Sequence, residues 1–212
     1  MSEQVKVRID GQDLMVAKGT TIIEAAKSLG IGIPHFCYHP RLKTAANCRV
    51  CLVEVEKMPK LQTSCSTTVS DGMVVHTDSP NVIEARRSVM EFILSNHPLD
   101  CPICDKGGEC HLQDEAMELT KASARFGEVR RTFEKEYFSP LVEKEMNRCI
   151  ACLRCARYCD EVMEVGALGA IDRGTDTQVG AFMHNPLSCE FCGGCIQICP
   201  VGALTNRLSM FE

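Results

Sequence analysis

Val5, Val7 and Ile9 alternate with polar residues, Asp10-Gly11 breaks the alternation, and Leu14 and Val16 resume it. A period of two interrupted by Asp-Gly predicts a two-stranded hairpin. The period then lengthens. Ile22, Ile23, Ala25, Ala26 and Leu29 form one helical face, with Thr21 and Glu24 at capping-box spacing and Gly30 as the stop. LVEVEK (52–57) alternates again and MVVHT (73–77) is a short apolar run, so both read as strands. Together these elements predict an α+β unit.

A second helix is predicted over 81–95, capped by Ser79 or Asp78, with Pro80 at its first position and Val82, Ile83, Val89, Met90 and Ile93 inward. It stops at SNHP, where Pro98 biases His97 away from α conformation and leaves it at the helix exit. LQDEAMELTKASARF (112–126) is helix-competent, and 125–147 reads as a polar connector. The chain then partly repeats itself. CIACLRCARYCDEVMEVGAL (149–168) and CEFCGGCIQICPVGAL (189–204) share C-x2-C-x2-C-x3-C and a later Val-Gly-Ala-Leu.

Composition changes the picture at one residue type, with fifteen cysteines among 212 residues. Disulfide scaffolds and metal sites both use such enrichment. The count is odd, most spacings are C-x2-C, and MSEQVKVRID lacks the apolar segment of a secretory signal, all of which favours metal ligation in a reducing, cytoplasmic setting. A net charge of -5 argues against nucleic-acid binding, and the pairs Arg86-Arg87 and Arg130-Arg131 read as solvated surface. No apolar run is long enough to span a membrane.

In C-x2-C-x2-C-x3-C-P, three thiolates face one iron-sulfur cube while the fourth cysteine turns to the other cube. This assigns Cys149, Cys152, Cys155 and Cys199 to one [4Fe-4S] cluster, and Cys159, Cys189, Cys192 and Cys195 to a second. Pro200 completes the second copy, whereas Asp160 stands in that place in the first and puts its local turn in question. Structural zinc pairs two C-x2-C motifs across a loop, which two dense quartets fit poorly.

Cys37, Cys48, Cys51 and Cys65 are spaced x10, x2 and x13. Plant-type [2Fe-2S] ferredoxins use a shorter first spacer, which a loop insertion explains, and the hairpin, helix and strands around the set match their β-grasp fold. Spacing alone leaves zinc open here.

Cys101, Cys104 and Cys110 remain, one ligand short of a site. Imidazole can replace thiolate on iron. His111 adjoins Cys110, where the backbone has difficulty turning both side chains to one iron; His97 lies four residues before Cys101 and can reach back. The expectation is His97, with His111 as the alternative, and fifteen Cys plus one His then complete four sites.

CPICDKGGECHLQD preceded by His97, MNRCIACLRC and CPVGAL together resemble a known family over essentially the whole chain. They are similar to the N-terminal iron-sulfur region of the large peripheral-arm subunit of respiratory complex I. They are equally similar to the small diaphorase iron-sulfur subunit of NAD-linked hydrogenases and to parts of iron-only hydrogenases and NAD-dependent formate dehydrogenases. The resemblance implies an α+β chain of three parts: a β-grasp [2Fe-2S] ferredoxin domain (1–78), a helical domain with a one-histidine, three-cysteine [4Fe-4S] cluster (79–124), and, after the connector 125–147, a two-cluster [4Fe-4S] ferredoxin-like domain (148–212). His97 is the nitrogen ligand it implies.

The cofactors expected are therefore one [2Fe-2S] and three [4Fe-4S] clusters. Clusters pass single electrons without substrate chemistry, so four of them form a relay. No G-x-G-x-x-G or P-loop is present, which places flavin and NAD(P) on a partner subunit. The expectation is the electron-transfer subunit of an NAD(P)-dependent oxidoreductase, with no catalytic residues of its own. Two complete quartets and an end just after VGALTNRLSMFE favour a hydrogenase as the other partner; complex I or formate dehydrogenase is the alternative. A zinc-stabilised binding module is the reading from another class.

Overall fold

A computed structural model describes residues 3–120, 125–127, 129–135, 138–181 and 187–208. They fall into two compact units, one of 1–38 with 44–90 and one of 39–43 with 91–212.

In the first unit, β1 (Gln4–Ile9) and β2 (Gln12–Ala17) form the expected hairpin, with Asp10 at φ 45° and Gly11 at φ 81° in its turn. Both left-handed positions are those an Asp-Gly type I′ turn requires. β3 (Leu52–Val55), β4 (Gln62–Thr63) and β5 (Met73–His76) complete a five-stranded sheet in the order β2-β1-β5-β3-β4, with β1 and β5 parallel. β4 has no signal of its own in the sequence. At two residues it is too short to show a period, and its pairing with β3 is what defines it.

α1 (Ile22–Ser28) follows the hairpin, and the Glu24 carboxylate accepts from the Thr21 hydroxyl at 3.0 Å and from its N–H at 3.4 Å. The core consists of Val5, Val7 and Ile9 of β1, Ile22, Ile23, Ala25 and Ala26 of α1, and Val53, Val55 and Val75. Each fully buried Val or Ile here contributes roughly 1.5–3 kcal/mol. Cys51 and Cys65 belong to this same core, so their thiols are anchored by packing rather than by loop conformation.

α2 (Pro80–Asn96) begins one residue before its expected start, and Ser79 Oγ accepts from the Val82 N–H at 3.4 Å. Its buried stripe is Val82, Arg86 and Met90, while Ile83 is 39 % exposed. Two readings are thereby corrected: Ile83 does not face inward, and Arg86 is not a surface charge. Spacing of four places Arg86 on the Val82 and Met90 face, and its Nε donates to the Leu52 carbonyl at 3.0 Å. Such a bond to a charged donor is worth about 1.5–3 kcal/mol.

In the second unit, α3 (His111–Leu119) covers the first part of the helix expected over 112–126; residues 121–124 of that stretch lie outside the described residues. The connector read over 125–147 ends in structure. β6 (Val142–Lys144) pairs antiparallel with β9 (Leu204–Asn206), and a 3-10 turn follows at Met146–Arg148. A three-residue strand whose partner lies sixty residues on is invisible to local pattern. Arg131, read as surface, is half-buried and donates from Nη2 to the Cys149 carbonyl at 3.1 Å, and from Nη1 to the Thr175 carbonyl.

α4 (Arg154–Glu161) and α5 (Gly194–Ile198) are the helices of the repeat, and β7 (Gly169–Ile171) pairs with β8 (Gln178–Gly180) between them. The Asp160/Pro200 difference decides where each helix stops. Asp160 lets α4 run on past Cys159, whereas Pro200 forces Cys199 into extended backbone at ψ 122° and ends α5 before it. Among the described residues no helix is long and apolar enough to cross a membrane.

Candidate iron-sulfur sites

The backbone of the two repeat copies is pre-shaped for wrapping. Ala151 and Leu153 have φ 52° and 58°, and their counterparts Phe191 and Gly193 have φ 53° and 72°. Left-handed residues between and after the cysteines curl each loop so that its sulfurs face inward. Three of the four are not glycine, a conformation costing of order 1 kcal/mol each that persists where its surroundings demand it. The inward curl also aims amides at sulfur, with Ala151 N–H on Cys149 Sγ at 3.3 Å and Gly194 N–H on Cys192 Sγ at 3.5 Å.

Cys149, Cys152, Cys155 and Cys199 line one cavity, together with Lys144, Met146 and Val179. Cys159, Cys189, Cys192 and Cys195 line another, with Tyr158, Met163 and Phe191. The fourth cysteine of each copy thus stands with the first three of the other. The tertiary reason is the packing of α4 on α5, where the Tyr158 ring lies so close to Gly194 that a Cβ there would come within 2.1 Å of it. Burial raises the Cys149 thiol to about 11, Cys152 to about 12 and Cys195 to about 11, because an isolated thiolate is poorly solvated there. A metal cation placed among them would stabilise the thiolate forms.

His97, Cys101, Cys104 and Cys110 line a third cavity of about 400 Å³. α2 ends at Asn96, a 3-10 turn holds Cys101–Ile103, and Cys110 is the residue before α3. The floor is backbone of the second repeat copy. The Cys110 thiol donates to the Pro200 carbonyl at 3.9 Å, and a Cβ at Gly202 would stand 2.2 Å from Cys104 Sγ. His97 Nδ1 is buried without a hydrogen-bond partner, and desolvation lowers the imidazole to about 4, so it is neutral at pH 7. His111 is elsewhere: its Nε2 lies 3.3 Å from Glu115 one turn along α3, and it does not line this cavity.

In the first unit, Cys37, Cys51 and Cys65 are fully buried and Cys48 partly so. Their loop turns through Ala46 (φ 52°) and Arg49 (φ 60°). Cys48 and Cys65 donate to Cys37, which is held down at about 2, while Cys48 and Cys65 are themselves pushed up by the thiolate beside them. Cys51 also accepts from Cys65 and is lowered to about 6. The four sulfurs are linked in the order Cys48, Cys37, Cys65, Cys51, which fits a small multinuclear centre. All fifteen cysteines are free of disulfides. Among the described residues, no three His, Cys, Asp or Glu side chains converge on a single-ion position. The second unit thus has three cavities lined by thiol or imidazole donors, and the first unit has one group of four adjoining thiols.

Iron-sulfur domains of two kinds are present, as three family models match the chain. A 2Fe-2S iron-sulfur cluster binding domain matches 2–80, the NADH-ubiquinone oxidoreductase-G iron-sulfur binding region matches 86–124, and the ferredoxin-like domain of NADH-quinone oxidoreductase subunit 3 matches 139–205. Among individual proteins, the chain is similar to the G subunit of the NADH-quinone oxidoreductase of Rickettsia bellii, at 50 % identity over 98 % of this chain and 30 % of that protein. The corresponding G 2 subunit of Rhizobium meliloti is 49 % identical over 95 % of this chain and 24 % of its own length. The chain thus spans less than a third of the curated relatives it matches. A crystal structure of an NAD+-reducing [NiFe]-hydrogenase in the H2-reduced state superposes with TM-score 0.88 at 27 % identity, covering 98 % of this chain and 90 % of that one.

Proposed function

We propose that the chain is a four-cluster electron relay within an NAD(P)-linked oxidoreductase complex. One observation carries this reading: three four-residue sets expected from the sequence, two by spacing and one by ligand count, each line one cavity, and a fourth set of four thiols meets within the first unit. In this reading Cys37, Cys48, Cys51 and Cys65 hold a [2Fe-2S] cluster, and three [4Fe-4S] clusters occupy the other sets. His97 is the nitrogen ligand beside Cys101, Cys104 and Cys110. The domains follow as 1–78, 79–124 and 148–212, with β6 of the preceding stretch added to the last.

When bound, the clusters supply reversible one-electron exchange. The protein's own residues position the sulfurs, exclude water and donate amides to them, which are the levers that set potential. Flavin and NAD(P) reside on a partner subunit, and the relay passes electrons between that flavin and a further redox centre at the cytoplasmic side. The 48–50 % identity to G subunits of NADH-quinone oxidoreductases favours that complex as the setting. The hydrogenase reading is supported by the TM-score of 0.88. Anaerobic purification with metal analysis tests the relay itself. A brown protein with ~14 iron per chain is expected; a colourless protein with stoichiometric zinc would overturn it. Native co-purification then distinguishes the two complexes by the partner recovered.

A further inference from the structure

Two ties join the chain around His97 to the chain around Cys149. His97 follows Asn96, the last residue of α2, and Asp100 stands just before Cys101. In the first tie the Arg131 backbone N–H donates to Asn96 Oδ1 at 3.0 Å, and the Arg131 side chain donates from Nη2 to the Cys149 carbonyl at 3.1 Å. In the second, Arg148, the residue before Cys149, donates from Nε to Asp100 Oδ2 at 3.0 Å. These bonds span 35, 18 and 48 residues, so they fix tertiary placement rather than local conformation.

The reach of Arg131 is itself fixed. Its Nη1 donates to the Thr175 carbonyl, and its guanidinium carbon stands 5.2 Å from the centre of the Phe133 ring. A planar fork bonded through both terminal nitrogens and set over an aromatic ring keeps little rotamer freedom. Two residues on, the Phe133 N–H donates to Asn147 Oδ1 at 2.8 Å, and Asn147 Nδ2 returns a bond to the Phe133 carbonyl at 3.1 Å. Asn147 belongs to the 3-10 turn that leads into Cys149. In the other tie the side chains of Arg148 and Asp100 are 14 % and 33 % exposed, which shields that pair from much of the screening a surface pair meets. A wall opposes the ties. The Cys110 thiol donates to the Pro200 carbonyl, and Cys199, one residue earlier, lines the Cys149 cavity. The wall keeps the two sites from approaching and the ties keep them from separating.

We propose that Arg131, together with the Asp100–Arg148 pair, positions the His97 site at a fixed separation from the Cys149 site, and that electron transfer between the two depends on this. Tunnelling falls steeply with distance, so two loops free to drift apart would pass electrons slowly. The inference deepens the relay reading, since it presupposes a cluster at each site.

Electron paramagnetic resonance of the fully reduced, cluster-loaded protein tests it. Two reduced clusters broaden or split each other's signals by an amount that falls with the cube of their separation. The interaction in question is the part of the His97-site signal's broadening that disappears in Cys149→Ser. Asn96→Leu cuts the first tie without changing any charge. Arg131→Met keeps the backbone bond to Asn96 and removes the one to Cys149, and Arg148→Met cuts the second tie. Each single variant should weaken the interaction, and Asn96→Leu combined with Arg148→Met should abolish it, with both clusters present. An interaction of wild-type size in that double variant would overturn the proposal, as would its absence from the wild-type protein. So would a change confined to the two arginine variants, because the neutral Asn96→Leu would then show that charge and not spacing had been altered. Loss of a cluster from all three single variants would overturn it too, since the ties would then be holding ligands in place rather than setting a distance. Absence of these clusters from the wild-type protein would instead remove the relay reading.

Discussion

Gly202 lies directly against the sulfur of Cys104: a Cβ built on the glycine would stand 2.2 Å from Sγ. The two residues belong to different motifs, one in the closing Val-Gly-Ala-Leu of the repeat and the other in the C-x2-C of the histidine-bearing site. The same segment touches that site again through the Pro200 carbonyl, which accepts from Cys110. Cys199, one residue earlier, faces the neighbouring cavity. A single stretch of four residues thus forms a wall common to two sites.

Gly202→Ala should therefore damage the site of Cys104 selectively. Overpacking of this kind costs about 1–3 kcal/mol, and here the atom displaced is the sulfur of a proposed ligand. Paramagnetic resonance should show that one cluster lost or altered in lineshape, with the Cys37 set untouched. An unchanged spectrum at full iron content would mean that Cys104 does not bind.

Exchanging His97 tests the nitrogen ligand. Replacing neutral imidazole with thiolate lowers the net charge of the site by one, so His97→Cys should lower that midpoint. His111→Ala should leave it alone, since His111 faces Glu115 on its own helix. A shifted midpoint in His111→Ala with none in His97→Cys would reverse the assignment.

The crossed cysteines make opposite predictions. Cys199→Ser should disturb the cluster of Cys149, Cys152 and Cys155, and Cys159→Ser that of Cys189, Cys192 and Cys195, although each lies in sequence beside the other set. Spectra of the two variants that showed each serine disturbing the set nearer in sequence would contradict this.

In the hairpin, Asp13 accepts from Arg8 at 2.6 Å and pairs with Lys6 at 2.8 Å, and these partners hold its carboxyl well below the usual carboxylate range. Folding therefore favours the ionised form. The stabilisation is present above the unfolded carboxylate range, near pH 3.9, and is lost as pH falls through the lower folded value. Both partners are exposed, so the effect is small and screened by salt. Denaturant midpoints of wild type and Asp13→Asn should differ slightly at pH 7 in low salt and converge at 1 M salt. A gap that persisted in high salt would point to something other than charge.

Some of this protein was legible residue by residue. The hairpin, both helices flanking the cysteine loops and which cysteines of the repeat share a cavity all follow from short-range signals: a period of two or 3.6, an Asp-Gly turn, and the C-x2-C-x2-C-x3-C spacing. Arg86 and Lys144 were not legible, because a charged residue looks solvated until its strand or helix face is known. β4 and β6 were not either, being shorter than one period and defined by partners distant in sequence. Above all, the chain's local pattern set the spacing of the cysteines, while packing of α4 against α5 and of the Pro200–Gly202 backbone against Cys104 and Cys110 chose what surrounds them. Coordination chemistry depends on residue type at short spacing and so is written locally. Charge environment depends on which distant elements meet, and only the folded chain decides that.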